Sequence, residues 1–202
     1  FAHGDIIMVG AYAVITAVFT MGLPPFIAIL ISIALCALLG IVIEFLAYRP
    51  LRQAQPLAVL ITAIGVSYLL QNLALLIYGS EQKAFPTIVA LPTVHIGGVY
   101  IDATLVVTAV IMVALSLFIN KTRMGKAMRA VSEDKEAAEL MGISVNRTIT
   151  VTFAIGSALA GVAAIFYGAA YTYIRPTTGA MPGIKAFTAA VFGGIGSIPG
   201  AL

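Results

Sequence analysis

Five apolar segments of membrane length, or close to it, constrain this chain more than any other feature. They lie at about 6–22, 25–47, 57–78, 103–120 and 149–172. A helix needs about 20 predominantly apolar residues to cross roughly 30 Å of hydrocarbon. Hydrophobic residues make up 61% of the chain and charged residues only 9%, whereas soluble domains average about 25% charged. These segments exclude a water-soluble fold and predict an all-α polytopic membrane protein.

A sixth apolar run, at about 184–192, is too short to span a bilayer and leads into the glycine-rich sequence GGIGSIPG at 193–200. Irregular backbone at membrane depth is tolerated where it is buried in protein. We therefore predict a half-helix or re-entrant segment here, within a single transmembrane domain (residues 1–202) of five to six transmembrane or re-entrant helices. Because the chain begins with Phe1 and not with Met, we also expect further membrane segments beyond both ends.

The distribution of Lys and Arg predicts the orientation of these helices. The segments 49–56 and 121–147 hold eight of the eleven basic residues, and only Lys83, Arg175 and Lys185 lie elsewhere. By the positive-inside rule, the two basic segments face the cytoplasm, and the loops 79–102 and 173–183 face outward. Apolar and polar residues alternate around Gly-Gly within 94–101, which predicts a small external β-hairpin.

The segment 121–147 is the one long charged stretch, and it lies between two membrane-length apolar segments. Its periodicity favours two short amphipathic helices, at about 124–131 and 133–141. Such a polar segment predicts a function outside the bilayer. It contains ten charged residues: Lys121, Arg123, Lys126, Arg129, Glu133, Asp134, Lys135, Glu136, Glu139 and Arg147.

The second of these short helices has recognisable start and stop signals. Ser132 is expected to be its N-cap, followed by acidic residues that suit the helix dipole. Gly142 is a natural C-terminal stop. The apolar residues Ala137, Leu140 and Met141 would be exposed unless they met a partner. We therefore predict a docking surface for a soluble, energy-supplying partner, with a charged loop resting on lipid headgroups as the alternative.

No catalytic or metal-binding set is visible in the sequence. The two histidines, His3 and His95, lie on different predicted sides of the membrane, and Cys36 is the only cysteine. A paired-His site, a disulfide framework and a Cys-based metal site are thereby excluded. The chain lacks GxxxxGK[ST], so it cannot hold ATP by that loop. We predict a chain without enzymatic activity, resident cofactor, metal ion or nucleic-acid partner.

Small residues recur along the fifth apolar segment, and such rows let two helix backbones approach closely in lipid. They predict tight packing, either within the chain or against a second subunit. The residues are Gly156, Ala160, Ala164 and Gly168, with Ser157 and Gly161 in a neighbouring row.

Several polar residues interrupt the apolar segments. Glu44 lies within reach of Arg49 or Arg52, which predicts a structural ion pair at the membrane face. Asp5, just ahead of the first apolar segment, is a candidate N-cap. In the third segment, pathway lining and helix–helix hydrogen bonding are equally open roles for the polar side chains. These side chains belong to Thr62, Ser67, Tyr68, Gln71 and Asn72.

The sequence Glu136-Ala137-Ala138, followed by Gly142, resembles the first half of the EAA-x-x-x-G loop of ABC importer permeases. The Ile-x-Leu-Pro of that pattern is absent, since residues 146–153 read NRTITVTF. Three further stretches are similar to the LivH-type permeases of branched-chain amino acid importers: FAHGD at 1–5, EFLAYRPLR at 44–52, and PGIKAF at 182–187 running into GGIGSIPGA. The resemblance covers essentially the whole chain.

The resemblance implies an inner-membrane permease subunit that works by alternating access on branched-chain amino acids. The implied partners are two cytoplasmic ATPase subunits, which carry ATP and Mg, a second permease subunit, an external solute-binding protein and the lipid bilayer. The residues expected to contact the ATPase are Glu133, Glu136, Ala137, Ala138, Leu140, Met141 and Gly142.

In this family the segment His3-Gly4-Asp5 follows another hydrophobic helix, so it could instead be a break in the membrane beside the substrate pathway. Its counterpart would be the glycines Gly193, Gly194 and Gly196, since discontinuous helices often present backbone groups to a substrate near the midplane. The alternative functions are an ion-coupled secondary transporter or channel, or an importer of the same architecture for urea or short amides. The sequence leaves the substrate open.

Overall fold

The structure, a computed structural model, describes residues 2–86, 94–96, 99–101 and 103–193, and it confirms the all-α prediction. Proline begins α2 and α3, where its missing N–H costs no hydrogen bond. The α-helices are α1 Ala2–Ile15, α2 Pro25–Ile43, α3 Pro56–Tyr78, α4 Ala103–Lys121, α5 Arg123–Glu133, α6 Lys135–Leu140, α7 Val145–Ala170 and α8 Ala180–Phe192. Single π-helical turns follow α1 (Thr16–Thr20) and α2 (Glu44–Tyr48), the second continuing into a 3₁₀ turn, Arg49–Leu51.

Four helical stretches among the described residues are long and apolar enough to cross a membrane: Ala2–Thr20, Pro25–Leu51, Leu57–Tyr78 and Val145–Ala170. A fifth span is obtained if Val106–Lys121 and Arg123–Glu133, which are bent by 79°, count as one. The remaining apolar helix, α8, is shorter, as predicted for the weak sixth run. The re-entrant segment predicted beyond Gly193 lies outside the described residues.

Two helix boundaries differ from the prediction. The first helix begins at Ala2 and not near residue 6, and α7 begins at Val145 and not near 149. Each extension contains one buried polar side chain that finds a partner in the protein, Asp5 in the first and Thr148 in the second. Thr148 Oγ1, for example, donates to the carbonyl of Ser144 at 3.0 Å. Hydropathy alone therefore places these starts too late.

The chain forms two compact units, Phe1–Ile88 with Phe153–Leu202, and Val89–Thr152. In the first unit α1 packs against α2, α3 and α8, and the side chains of Ile6, Met8 and Tyr12 are fully buried. Ser32 Oγ on α2 donates to the carbonyl of Gly10 on α1 at 2.9 Å. Helix α1 is thus the centre of this unit.

The small residues of α7 pack closely within the chain, which confirms the predicted tight packing. A Cβ on Gly161 would lie 3.0 Å from the Cα of Ile33. A Cβ on Gly168 would lie 2.5 Å from the ring of Phe85. Because these positions carry no side chain, α7 approaches α2 and Phe85 directly.

Two small antiparallel sheets complete the fold. The predicted hairpin is confirmed: β2 (Val94–Ile96) pairs with β3 (Val99–Ile101), with Ile96 opposite Val99. The second sheet was not predicted, and it pairs β1 (Lys83–Ala84) with β4 (Tyr173–Ile174). It connects the two loops that the sequence assigns to the outer face.

The close approach of α1 to the start of α8 gives a stability prediction. A Cβ on Gly4 would meet the carbonyl oxygen of Gly179 and lie 2.6 Å from the Cα of Gly183, which are backbone atoms. We expect Gly4→Ala to lower the free energy of unfolding by about 1–3 kcal/mol, measured by thermal unfolding of the purified permease in detergent. Gly65→Ala on α3 is the matched control, since nothing lies within 4 Å of its Cβ. Equal thermal stability of the two variants would contradict this packing.

Candidate functional site

Helix α6 is positioned by an aspartate cap. Asp134 has extended backbone dihedrals (φ −150°, ψ 114°), and its Oδ1 accepts from the N–H groups of Glu136 at 2.9 Å and Ala137 at 3.1 Å. The prediction of Ser132 as the cap is therefore wrong. Ser132 lies in the last turn of α5, where its hydroxyl donates to the carbonyl of Arg129 at 2.7 Å. Both residue types can cap, and the backbone conformation decides between them.

The end of α6 lies where the sequence places it. Gly142 has φ +81°, a conformation that disfavours other residues. The N–H of Gly142 donates to the carbonyl of Glu139, and the N–H of Ile143 to that of Ala138, each at 3.0 Å. This pair of bonds is a Schellman motif. It fixes the direction in which the chain leaves α6.

One side of α6 presents apolar side chains to the surroundings. Leu140 is 89% exposed and Met141 is 82% exposed, whereas Ala138 is buried. The other members of the predicted ATPase-contacting set, Glu133, Glu136, Ala137 and Gly142, are exposed as well. A contiguous apolar pair rimmed by carboxylates is typical of an interaction surface. We call Leu140 and Met141 the α6 docking face, and its role in coupling stays a prediction.

A second candidate site lies inside the first unit. Asp5 is 1% exposed and sits within α1, so its predicted role as an N-cap is wrong. Its carboxylate instead accepts hydrogen bonds from the hydroxyl of Ser67 and, at 3.0 Å, from Nε2 of Gln71, both on α3. A buried polar group needs such partners. We call Asp5, Ser67 and Gln71 the polar cluster.

The start of α8 lies against the polar cluster. A Cβ on Gly179 would be 2.8 Å from Asp5 Oδ1, and α8 begins at the next residue. The N-terminal end of a helix carries a partial positive charge that favours a nearby carboxylate. Within the described spans, Glu44 has a cationic partner, and Asp5 forms no ion pair. The cluster therefore holds a carboxylate that is not neutralised by a protein cation.

The structure brings together only part of the predicted pathway set. Asp5 is hydrogen-bonded to Gln71, and Gly4 packs against Gly179 and Gly183 at the start of α8. Thr62 donates to the carbonyl of Ala58 at 2.9 Å, and the exposed Asn72 donates to that of Tyr68 at 2.7 Å, so both bond to their own helix. Half-buried His3 packs against Phe153, with ring centroids 5.5 Å apart.

Three further members of that set lie at or beyond the end of α8. Gly193 ends α8, and its N–H donates to the carbonyl of Ala189 at 2.8 Å. Gly194 and Gly196 lie outside the described residues. Ser67, one of the polar residues of the third apolar segment, joins Gln71 in the polar cluster because a spacing of four places both on one face of a helix.

The membrane-face ion pair forms between Glu44 and Arg52. Glu44 is fully buried, and the guanidinium of Arg52 donates to its carboxylate. Arg49, the other predicted partner, instead lies over the ring of Phe45 at 5.0 Å from its centroid. The π-helical and 3₁₀ turns after α2 fold the chain back so that Arg52 reaches Glu44. The ion pair links the end of α2 to the turn that follows it.

The family model and two similar relatives that match this chain all describe branched-chain amino acid transport permeases. Residues 1–202 match the family model described as branched-chain amino acid transport system / permease component. The chain is 44% identical to the high-affinity branched-chain amino acid transport system permease protein BraD of Pseudomonas aeruginosa, and 41% identical to LivH of Escherichia coli K12. Each match covers 100% of this chain and 71% of the relative. No solved structure matches the chain.

Proposed function

Because the chain belongs to the family of branched-chain amino acid transport system permease components, we propose that it is the membrane subunit of an ATP-driven importer of branched-chain or related amino acids. It is a transport permease and a multi-pass membrane protein. The observation that carries the importer proposal is the α6 docking face, an apolar pair held outward by a capped helix. A membrane transporter without an ATPase would have no evident use for it.

In this proposal α6 transmits movement between subunits. Two cytoplasmic ATPases bind and hydrolyse ATP with Mg, and their closure moves α6 through Leu140 and Met141. The Asp134 cap and the Gly142 stop keep both ends of α6 from fraying. The helix can therefore move as a rigid body when the ATPase moves. The membrane helices, paired with those of a second permease subunit, then alternate between outward and inward access.

The polar cluster is the proposed polar element of the substrate pathway. Ionisable residues inside a membrane are rare because they are costly, and they commonly mark substrate pathways. Asp5 is such a residue, and it is held by side-chain donors from α3 beside the start of α8. A carboxylate can accept a hydrogen bond from the ammonium group that every amino acid substrate carries. An external solute-binding protein would deliver that substrate to the face that carries β1 and β4.

We propose that the protein lies in the inner, cytoplasmic membrane and supports ATP-dependent uptake. Proteoliposomes would contain the full-length permease with its partner permease, ATPases and binding protein, and uptake of labelled leucine would be followed with urea as comparator. We expect leucine uptake that requires both ATP and the binding protein. Uptake of urea but not of leucine would indicate an importer of the same architecture whose substrate is urea. Uptake indifferent to ATP would overturn the importer proposal and favour an ion-coupled transporter or channel.

A further inference from the structure

Cations dominate the first part of the 121–139 segment and acids dominate the second. Residues 121–132 carry four cations and no acid, whereas residues 133–139 carry four acids and one cation, Lys135. All four cations of the first part are exposed, and none forms an ion pair among the described residues. They are Lys121, Arg123, Lys126 and Arg129. Acidic residues lie only a few positions further along the chain, but within the described ranges they form no ion pair with these four cations.

Helix α5 has one basic side and one apolar side. At 100° per residue, Arg123, Lys126 and Arg129 fall on one face of the helix. Met124 and Met128 are half-buried and Val131 is buried on the opposite face. A basic face opposite an apolar one is the pattern of a helix that lies in the membrane interface.

The junction with α4 orients α5 at the membrane boundary. Helix α4 is apolar over nearly its whole length and ends at Lys121, and α5 then turns by 79°. Thr122 fixes this turn, because its Oγ1 accepts from the N–H of Gly125 at 3.0 Å and donates to the carbonyl of Phe118 at 2.7 Å. Gly125 packs onto the backbone of Ile119, where a Cβ would collide. If α4 crosses the bilayer, α5 therefore lies close to the membrane plane.

We propose that the basic face of α5, formed by Arg123, Lys126 and Arg129, binds the headgroups of anionic phospholipids together with Lys121 at the end of α4. The cytoplasmic leaflet attracts juxtamembrane Lys and Arg by about 1 kcal/mol for each, and residues 121–129 offer four. The acidic α6 is repelled by the same headgroups and stays available for a protein partner. The inference requires only that the chain is a membrane protein, and it stands whether or not α6 contacts an ATPase.

The test measures lipid preference directly. Full-length permease would be extracted in mild detergent from vesicles of phosphatidylglycerol and phosphatidylcholine, and the two lipids that copurify would be quantified by mass spectrometry. We expect wild type to be enriched in phosphatidylglycerol relative to the vesicles. Arg123→Gln/Lys126→Gln should lower this enrichment by about fivefold or more. The control Arg49→Gln/Arg147→Gln removes two cations from the same predicted side and should keep it.

Three results would overturn the proposal. Wild type without enrichment would exclude a preference for anionic lipid. An equal loss in the two double variants would assign the preference to total charge and not to α5. Unchanged enrichment in Arg123→Gln/Lys126→Gln, with ATPase activity of the assembled transporter lowered equally in vesicles with and without phosphatidylglycerol, would assign α5 to a protein partner. If wild type showed no lipid enrichment but bound labelled inorganic phosphate after delipidation, the four cations would be assigned to a free-phosphate site.

Discussion

Replacing Leu140 and Met141 by glutamate should abolish ATP-driven uptake and leave the membrane helices folded. The two side chains are 89% and 82% exposed, so the change removes almost no internal packing. Truncating one interface hot spot costs at least about 2 kcal/mol, and two would weaken docking by more than about a hundredfold. The two added carboxylates would also have to lose their hydration on docking, which weakens docking further. The measurement is ATP-dependent leucine uptake in proteoliposomes together with copurification of the ATPase.

The matched control is the exchange Leu140→Met/Met141→Leu, which keeps the apolar face and its volume. It should transport at close to the wild-type rate. Thermal unfolding of the glutamate variant should match wild type within about 0.5 kcal/mol, because surface substitutions rarely exceed that. Wild-type uptake by the glutamate variant would show that α6 does not dock the ATPase. Lost thermal stability would instead show that the face packs within the protein.

The sequence predicts helices well where apolar periodicity and proline or glycine signals agree. The third apolar segment, predicted at 57–78, is α3 at Pro56–Tyr78, and Gly142 ends α6 as expected. Local signals also predicted the β2–β3 hairpin, since a two-residue connection needs no information from the rest of the fold. Helices, turns and hairpins that depend only on residues close together in the sequence can therefore be predicted from a single sequence.

Contacts between distant residues were missed for a physical reason. The pairing of β1 with β4 joins residues about ninety positions apart, and neither two-residue strand has a period of its own. Asp5 was read as a cap because a polar residue before an apolar run usually is one. Its partners Ser67 and Gln71 lie on another helix and make a buried carboxylate tolerable there. The choice of Arg52 over Arg49 likewise depends on a turn that sequence periodicity does not report.

Removing the charge of Asp5 should lower leucine uptake by about tenfold to a hundredfold. A hydrogen bond to a charged group contributes about 1.5–3 kcal/mol, and 1.4 kcal/mol corresponds to tenfold. In the proposed pathway, the carboxylate supplies such a bond to the substrate ammonium, and exclusion of water strengthens it. Asp5→Asn keeps the size of the side chain, and its amide can still pair with Ser67. We therefore expect the initial rate of ATP-dependent uptake to fall and the thermal stability to stay near that of wild type.

Ser67→Ala is the matched control for Asp5→Asn, because it removes one donor to the carboxylate and keeps the charge. If the charge contacts substrate, Asp5→Asn should be impaired at least several times more than Ser67→Ala. If the cluster only holds α1 against α3, both variants should lose thermal stability and uptake together, since each removes part of the same hydrogen-bonded link. Wild-type uptake by Asp5→Asn would exclude Asp5 from the pathway. The comparison thus distinguishes a substrate contact from a helix link at one buried carboxylate.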